Sequence, residues 1–207
     1  MNETDKMLNG LPYLAWLDGL EEARVACRAA LAAYNTMGPW NLPEMDQQIR
    51  GILGECGEDL MINQPFYCDY GSNITVGNHV FANFGLTILD VAPVRIGDHV
   101  LIGPHVSLYT AGHPMHQAGR ASGYEWGLGI TIGDHVWLGG NVIVNPGITI
   151  GSNVVVGAGA VVTKDIPDNV FCAGNPARII RAITDEDRNY YRKDLPWPDY
   201  TTDRFNP

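Results

Sequence analysis

The stretch Ile132–Pro167 reads IGDHVW LGGNVI VNPGIT IGSNVV VGAGAV VTKDIP, which is one block of six residues repeated six times. Each block begins with an aliphatic residue and has Val, Ile or Ala in its fifth position. A period of six fits neither the 3.6-residue period of a helix nor the period of two of a strand. It predicts a coil of short flat strands, in which three blocks close one triangular turn.

Earlier parts of the chain extend the same pattern. One run begins at Ile96 with IGDHVL IGPHVS, and a looser run begins at Val76 with VGNHVF. The first residue of each block is expected to point into the coil, and the small or branched fifth residue to fill the space between stacked aliphatic side chains. The Gly in the second position is expected to supply unusual backbone angles at the corners. The sequence therefore predicts a mainly β protein built as a parallel β-helix.

Three segments break the repeat. The N-terminal segment is predicted to be helical at Glu21–Tyr34 and again at Met45–Leu53. Residues 114–129 interrupt the coil, and a loop of that length in a compact array is usually functional rather than a plain solvent-exposed excursion. The tail after Pro176 is predicted to form a short capping helix. The predicted organisation is a helical N-terminal domain at 1–58, the coil at 59–183 and a C-terminal tail at 184–207.

Composition excludes several classes of function. The chain has 207 residues and a net charge of −10, which makes it a poor partner for nucleic acid or an anionic membrane. It has no apolar run of the roughly 20 residues that cross a membrane. Its four cysteines lack CxxC spacing, so we expect reduced thiols in a cytoplasmic protein. Residues 164–207 are nearly neutral, with 7 basic and 8 acidic groups, so an anionic small molecule is expected to bind there.

His113 is the candidate general base. It ends the last block before the 114–129 loop, between Gly112 and Pro114, which are expected to fix the turn. A neutral imidazole in such a place accepts a proton from a hydroxyl group at physiological pH. Glu125, in the same loop, is expected to orient the imidazole or to stabilise its cation. The alternative for both residues is an ordinary solvated side chain.

Four other histidines share one position of the repeat. His79, His99, His105 and His135 each stand fourth in a block and should face outward. Three stacked outward histidines are a conceivable zinc site. A simple preference for histidine at a corner is the other interpretation.

Basic residues gather where the coil ends. Lys164, Arg178 and Arg181 lie close together in sequence, and they predict a clamp for phosphate groups. The small residues of VGAGAV, at 156–161, predict a flat groove beside them that a long thin ligand would fit. The alternative interpretation is a solvated cap. A P-loop is excluded because the sequence contains no GxxxxGK[ST].

At these residues the chain resembles the maltose/galactoside O-acetyltransferase family, and the resemblance covers nearly the whole chain. Its motifs are Met7–Tyr13 (MLNGLPY), Tyr67–Asn73 (YCDYGSN), Phe81–Phe84 (FANF), Ile130–Gly140 (ITIGDHVWLGG), Asn145–Gly147 (NPG), Val161–Asp165 (VVTKD) and Gly174–Arg178 (GNPAR). The resemblance implies a left-handed coil, a homotrimer and an active site between neighbouring coils.

The resemblance also implies roles for individual residues. His113 is the general base, and Asp69 and Asn83 contact the acceptor or the acetyl group. The positions implied to bind acetyl-CoA are Asn83, Trp137, Gly140, Ala158, Thr163, Lys164, Arg178 and Arg181. The galactoside branch has acidic residues at the positions of Ala15 and Val91, whereas the loop at 122–125 looks more like the maltose branch.

The function expected from the sequence is acetyl-CoA-dependent O-acetylation of a sugar hydroxyl, without a metal ion or a covalent acyl-enzyme. Two alternatives from other classes remain open. One is a zinc enzyme of the carbonic-anhydrase type that uses His99, His105 and His135, and the other is a non-catalytic trimeric binding protein.

Overall fold

The computed structural model describes residues 1–38, 41–192 and 194–198. A helical N-terminal segment precedes a coil of short strands. The helices are α1 (Glu3–Leu8), α2 (Leu20–Thr36), α3 (Leu42–Ile52) and α4 (Gln117–Ala121), with one 3-10 helix at Asp185–Asn189. The two helices predicted near the N-terminus are confirmed as α2 and α3. None of the helices in these described ranges is both long enough and apolar enough to cross a bilayer.

The strands are mostly two or three residues long, as blocks of six require. They are β1 (Tyr13–Leu14), β2 (Glu55–Cys56), β3 (Met61–Ile62), β4 (Tyr67–Cys68), β5 (Ile74–Val76), β6 (Phe81–Ala82), β7 (Thr87–Leu89), β8 (Val94–Ile96), β9 (Leu101–Ile102), β10 (Ser107–Tyr109), β11 (Ala111–Gly112), β12 (Tyr124–Gly127), β13 (Ile130–Ile132), β14 (Trp137–Leu138), β15 (Ile143–Val144), β16 (Thr149–Ile150), β17 (Val155–Val156), β18 (Val161–Val162), β19 (Val170–Ala173), β20 (Arg178–Ala182), β21 (Tyr190–Arg192) and β22 (Leu195–Pro196).

Seventeen of these strands, all except β1, β11, β12, β21 and β22, form the walls of a three-sided coil. The first wall contains β2, β5, β8, β13 and β16; the second contains β3, β6, β9, β14, β17 and β19, with β20 added at its end; the third contains β4, β7, β10, β15 and β18. Successive turns pair in parallel and in register, as Ile96 with Ile132 and Ile132 with Ile150 show. The predicted parallel β-helix is confirmed.

The core follows the repeat. The first and fifth residues of the blocks fill the coil, and Ile132 and Val136 are 2% and 1% exposed. The same burial holds at Ile150 and Val154 in the next turn. Each turn therefore buries several aliphatic side chains, and each such side chain contributes about 1.5–3 kcal/mol relative to exposure.

The role predicted for the second-position glycines is wrong. The left-handed backbone angles fall on the fourth residue instead, with φ near +55° at His79, His99 and His135. Gly97 serves a different purpose, because a Cβ atom there would lie 2.8 Å from the backbone of Gly133 in the next turn. Glycine is thus required by the close approach of stacked turns, whereas His and Asn, which tolerate positive φ better than most residues, take the corner angles.

The predicted C-terminal capping helix is also wrong. The segment Arg178–Ala182 is a strand that pairs antiparallel with β19, and among the described residues of the tail only the 3-10 helix is helical. The physical reason is twofold. The last parallel strand of the second wall offers an unpaired edge, and the β-branched Ile179 and Ile180 favour extended backbone.

Gly97→Ala is expected to lower the free energy of unfolding by about 2–3 kcal/mol, because backbone atoms of the neighbouring turn cannot move away from the new methyl group. Gly51→Ala is the matched control. Gly51 is exposed on α3 with open space around the position of a Cβ atom, so alanine should raise stability by about 0.5–1 kcal/mol. Urea unfolding of both variants measures the contrast, and equal midpoints would contradict the stacking constraint.

Candidate active site

The 114–129 loop folds back on the coil instead of extending into solvent. Its strand β12 pairs antiparallel with β11 on one side and with β1 from the N-terminal segment on the other. These three strands form a small sheet, which we call the loop sheet. The N-terminal segment therefore helps to build the surface that carries His113 and Glu125.

A second small core lies beneath the loop sheet. It is formed by Met7, Tyr13, Ala15, Leu20, Tyr70 and Val91. The ring of Trp126 lies directly against Gly112, where a Cβ atom would come within 2.2 Å of it. This contact restricts the backbone immediately before His113.

His113 is exposed at the end of β11, and Glu125 is half-buried in β12. Gly112 lies opposite Trp126 in the antiparallel register, so His113 and Glu125 come next to each other at the end of this pair. The Glu125 Oε2 atom accepts a hydrogen bond of 3.0 Å from the hydroxyl of Tyr13. The structure thus brings the two predicted catalytic residues to neighbouring positions on the loop sheet.

Asp69 follows β4 close to the loop sheet and is partly buried. Burial and the neighbouring Asp90 raise the pKa of Asp69 to about 6, although Arg24 and Arg28 on α2 oppose the increase. Asp90 is fully buried, and its Oδ1 atom accepts the N–H groups of Asp69 and Tyr70 at 2.9 Å each. Asp90 therefore fixes the backbone that presents Asp69.

The predicted acetyl-CoA positions divide into two groups. Asn83, Trp137, Gly140 and Ala158 line one groove of about 690 Å³ on the second wall. Its floor is apolar, with a row of outward side chains that includes Leu101 and Phe171. Within the described residues the N–H of Gly140 donates no hydrogen bond, so it is available to a ligand.

The second group lies at the end of the coil. Thr163 and Lys164 are exposed after β18, and Arg178 and Arg181 are exposed on β20. The N–H of Ala177 donates to the carbonyl of Val161 at 2.8 Å, which brings β20 close to β18. Arg181 already holds Asp187 through two hydrogen bonds of 2.7 and 2.8 Å, and this contact lowers the pKa of Asp187 to about 2.

These residues occupy two different corners of the coil. Asn83, Gly140 and Ala158 lie between the second and third walls. His113, Glu125, Asp69, Thr163 and Lys164 lie between the third wall and the first. The third wall separates the two corners, so one chain does not bring its own histidine to its own groove.

The corner histidines do not form the set that a zinc site needs. His79, His99 and His135 stack with ring centroids 4.7 and 4.8 Å apart, at the corner between the first and second walls. His105 belongs to the next corner, so the predicted trio of His99, His105 and His135 does not meet. Within the ranges that the structure describes, no cluster of three or more His, Cys, Asp or Glu side chains is placed to hold a metal ion.

Comparisons with known proteins agree with this architecture. Residues 129–164 match the family model "Bacterial transferase hexapeptide (six repeats)", and residues 6–57 match "Maltose acetyltransferase hexapeptide capping motif". The chain is 43% identical to the galactoside O-acetyltransferase of Escherichia coli, over 94% of this chain and 96% of that one. This chain belongs to the maltose/galactoside O-acetyltransferase family.

Solved structures of the family are equally similar. A galactoside acetyltransferase in complex with coenzyme A has a TM-score of 0.93 and 42% identity, covering 96% of this chain and 99% of its own. A maltose O-acetyltransferase from Clostridium difficile 630 has a TM-score of 0.88 and 44% identity, covering 89% of this chain and 99% of its own. The chain is therefore an acetyltransferase of the hexapeptide type.

Two site residues were missed by sequence reasoning. Tyr13 stands in the motif Met7–Tyr13 but is assigned no role from sequence, and Asp90 is assigned none either. The position of Asp90 carried a signal, because it is a lone carboxylate inside the otherwise apolar run TILDVAPV. A charged residue in such a run is buried only when it is hydrogen-bonded or has a function.

The raised pKa of Asp69 predicts a dependence of stability on pH. An unfolded aspartate titrates near 3.9, so the folded protein binds this proton more tightly between about pH 4 and 6. The stabilising contribution is present below pH 4 and is lost as the pH rises through about 6. Asp69→Asn should remove this loss, which we expect to be on the order of 1 kcal/mol because solvent screens a partly buried group. Urea midpoints between pH 4 and 7 test this, and parallel curves for both proteins would contradict it.

Proposed function

We propose that this acetyltransferase transfers the acetyl group of acetyl-CoA to a sugar hydroxyl, with His113 as the general base. The observation that carries the proposal is the placement of His113. The His113 side chain is exposed, and the ring of Trp126 packs against the preceding residue, Gly112. The antiparallel register places His113 beside Glu125. An imidazole held in this way accepts the hydroxyl proton as the acceptor oxygen attacks the thioester carbonyl, and then returns it to the leaving thiolate.

The second-wall groove fits the donor. Coenzyme A combines a long, flexible arm with phosphate groups at its far end. The apolar row along Trp137, Val155 and Phe171 suits the arm, and the N–H of Gly140 is available to a carbonyl oxygen. Arg181 lies opposite Phe171 in the antiparallel register, so a basic residue stands where the row ends.

The active site is completed by a neighbouring subunit in this proposal. The groove and His113 lie at different corners of one chain, and a symmetric oligomer brings the groove of one copy to the histidine of the next. The outward row supports the idea, because Leu101 and Trp137 are 50% and 54% exposed in the single chain. Three copies of the chain around a common threefold axis would cover this row of side chains and create three equal sites.

The acceptor side is rich in groups that bind hydroxyls. Asp69 and Asn83 offer carboxyl and amide groups, and the relatives include proteins named for maltose and galactoside. A cytoplasmic location is part of the proposal, since the four cysteines are free thiols.

His113→Ala is expected to lower kcat by about 10²- to 10⁴-fold, while acetyl-CoA binding remains nearly unchanged. His116→Ala is the matched control, because His116 is also exposed, in the 114–129 loop, but only accepts the N–H of Ala118 as the cap of α4. Thiol release from coenzyme A measures turnover in both. Near-normal turnover in His113→Asn would transfer the role of base to another group.

Arg178→Ala is expected to weaken acetyl-CoA binding about tenfold or more, because a charge-assisted contact with phosphate is lost. Arg95→Ala, which removes another exposed arginine, on the first wall, should leave binding unchanged. Asp187→Asn frees Arg181 and should tighten binding several-fold. Calorimetric titration with acetyl-CoA measures all three, and equal affinities would reject the clamp.

A further inference from the structure

Tyr13 has a contact that packing alone does not explain. It is completely buried in the small core beneath the loop sheet, yet its hydroxyl donates to Glu125 Oε2 at 3.0 Å. Tyr13 and Glu125 are directly opposite each other in the antiparallel register of β1 and β12. Opposite residues in such a pair project from the same face of the sheet.

The same row reaches the predicted base. Gly112 lies opposite Trp126, so the following residue, His113, continues the row beyond Glu125. Exposure increases along it, from the buried Tyr13 through the half-buried Glu125 to the exposed His113. Within the described residues Glu125 Oε1 accepts no hydrogen bond, so this second oxygen is available to an imidazole N–H.

We propose that Tyr13 is a positioning residue, whose hydroxyl holds the Glu125 carboxylate toward His113. The proposal rests on the function proposed above for His113. It makes the N-terminal segment a part of the catalytic apparatus, since the hydroxyl comes from β1, 112 residues away from the carboxylate. The reaction gains a base whose cation is stabilised by a fixed negative charge.

The surroundings explain why Glu125 needs this contact. Asp69 lies at the same corner of the coil, and its negative charge repels Glu125. The other charged or titratable groups facing this cluster are Tyr70 and Asp90 from the coil and Arg24 and Arg28 from α2. Arg24 is held by the hydroxyl of Tyr70 at 2.8 Å. Burial raises the pKa of Tyr13, so its hydroxyl keeps the proton that it donates.

Tyr13→Phe removes only the hydroxyl, and it is expected to lower kcat about three- to tenfold with little change in the KM for acetyl-CoA. The acid limb of the pH–rate profile should move to lower pH, because a displaced carboxylate no longer stabilises the imidazolium. Glu125→Gln should cause the same movement. The double variant should equal Glu125→Gln alone, because both changes interrupt one interaction.

Tyr34→Phe is the matched control. Tyr34 is 1% exposed, and its hydroxyl donates to the carbonyl of Ile62, far from the loop sheet. It should lose a similar amount of stability while the pH–rate profile stays as in the wild type. If Tyr13→Phe folds poorly, Glu125→Gln alone still tests the shift of the acid limb.

A wild-type pH–rate profile in Tyr13→Phe or in Glu125→Gln would overturn the proposal. Additive losses in the double variant would overturn it too, because the two residues would then act separately. These outcomes differ from a failure of the proposed base, which appears as retained activity in His113→Asn while Tyr13 and Glu125 are unchanged.

Discussion

The close stacking of identical turns is the constraint on which the rest of the molecule depends. At Gly97 a side chain would collide with the backbone of the next turn, and the same holds at Gly133. The repeat cannot gain or lose a residue inside a wall without breaking this contact. Departures from the pattern are therefore confined to the corners, and the 114–129 loop leaves at one without disturbing the pairing of Leu108 with Val144.

The 114–129 loop, which leaves the coil at a corner, has no hydrophobic core of its own. This explains why the N-terminal segment packs against it. The loop sheet buries one face on Val91 and Tyr70 from the coil, and Tyr13 and Met7 cover the remainder. Without β1 the strand β12 would have one unpaired edge and an exposed apolar face. The helical segment is thus part of the architecture that holds the loop, not merely a cap on the end of the coil.

The sequence predicted what is periodic or local and missed what is neither. The coil can be predicted because Ile132 and the equivalent residues of other blocks recur with fixed spacing. His113 can be singled out because the repeat ends next to it. The pairing of Tyr13 with Glu125 has no local signal, since it joins two short strands far apart in sequence. The tail was misread because Ile179 and Ile180 respond to the open edge of β19, and only the fold reveals that edge.

The distribution of charge solves a problem that the composition raises. A chain with a net charge of −10 repels an anionic donor. The carboxylates near the proposed base are, however, concentrated at one corner of the coil. Asp69, Asp90 and Glu125 gather at the acceptor corner, whereas the arginines Arg178 and Arg181 lie on β20. In the proposed function, the phosphates of a bound coenzyme would be drawn toward the end of the coil where these arginines lie. The carboxyl groups of Asp69 and Glu125, which suit an acceptor with hydroxyl groups, would also repel phosphate groups from the proposed acceptor site.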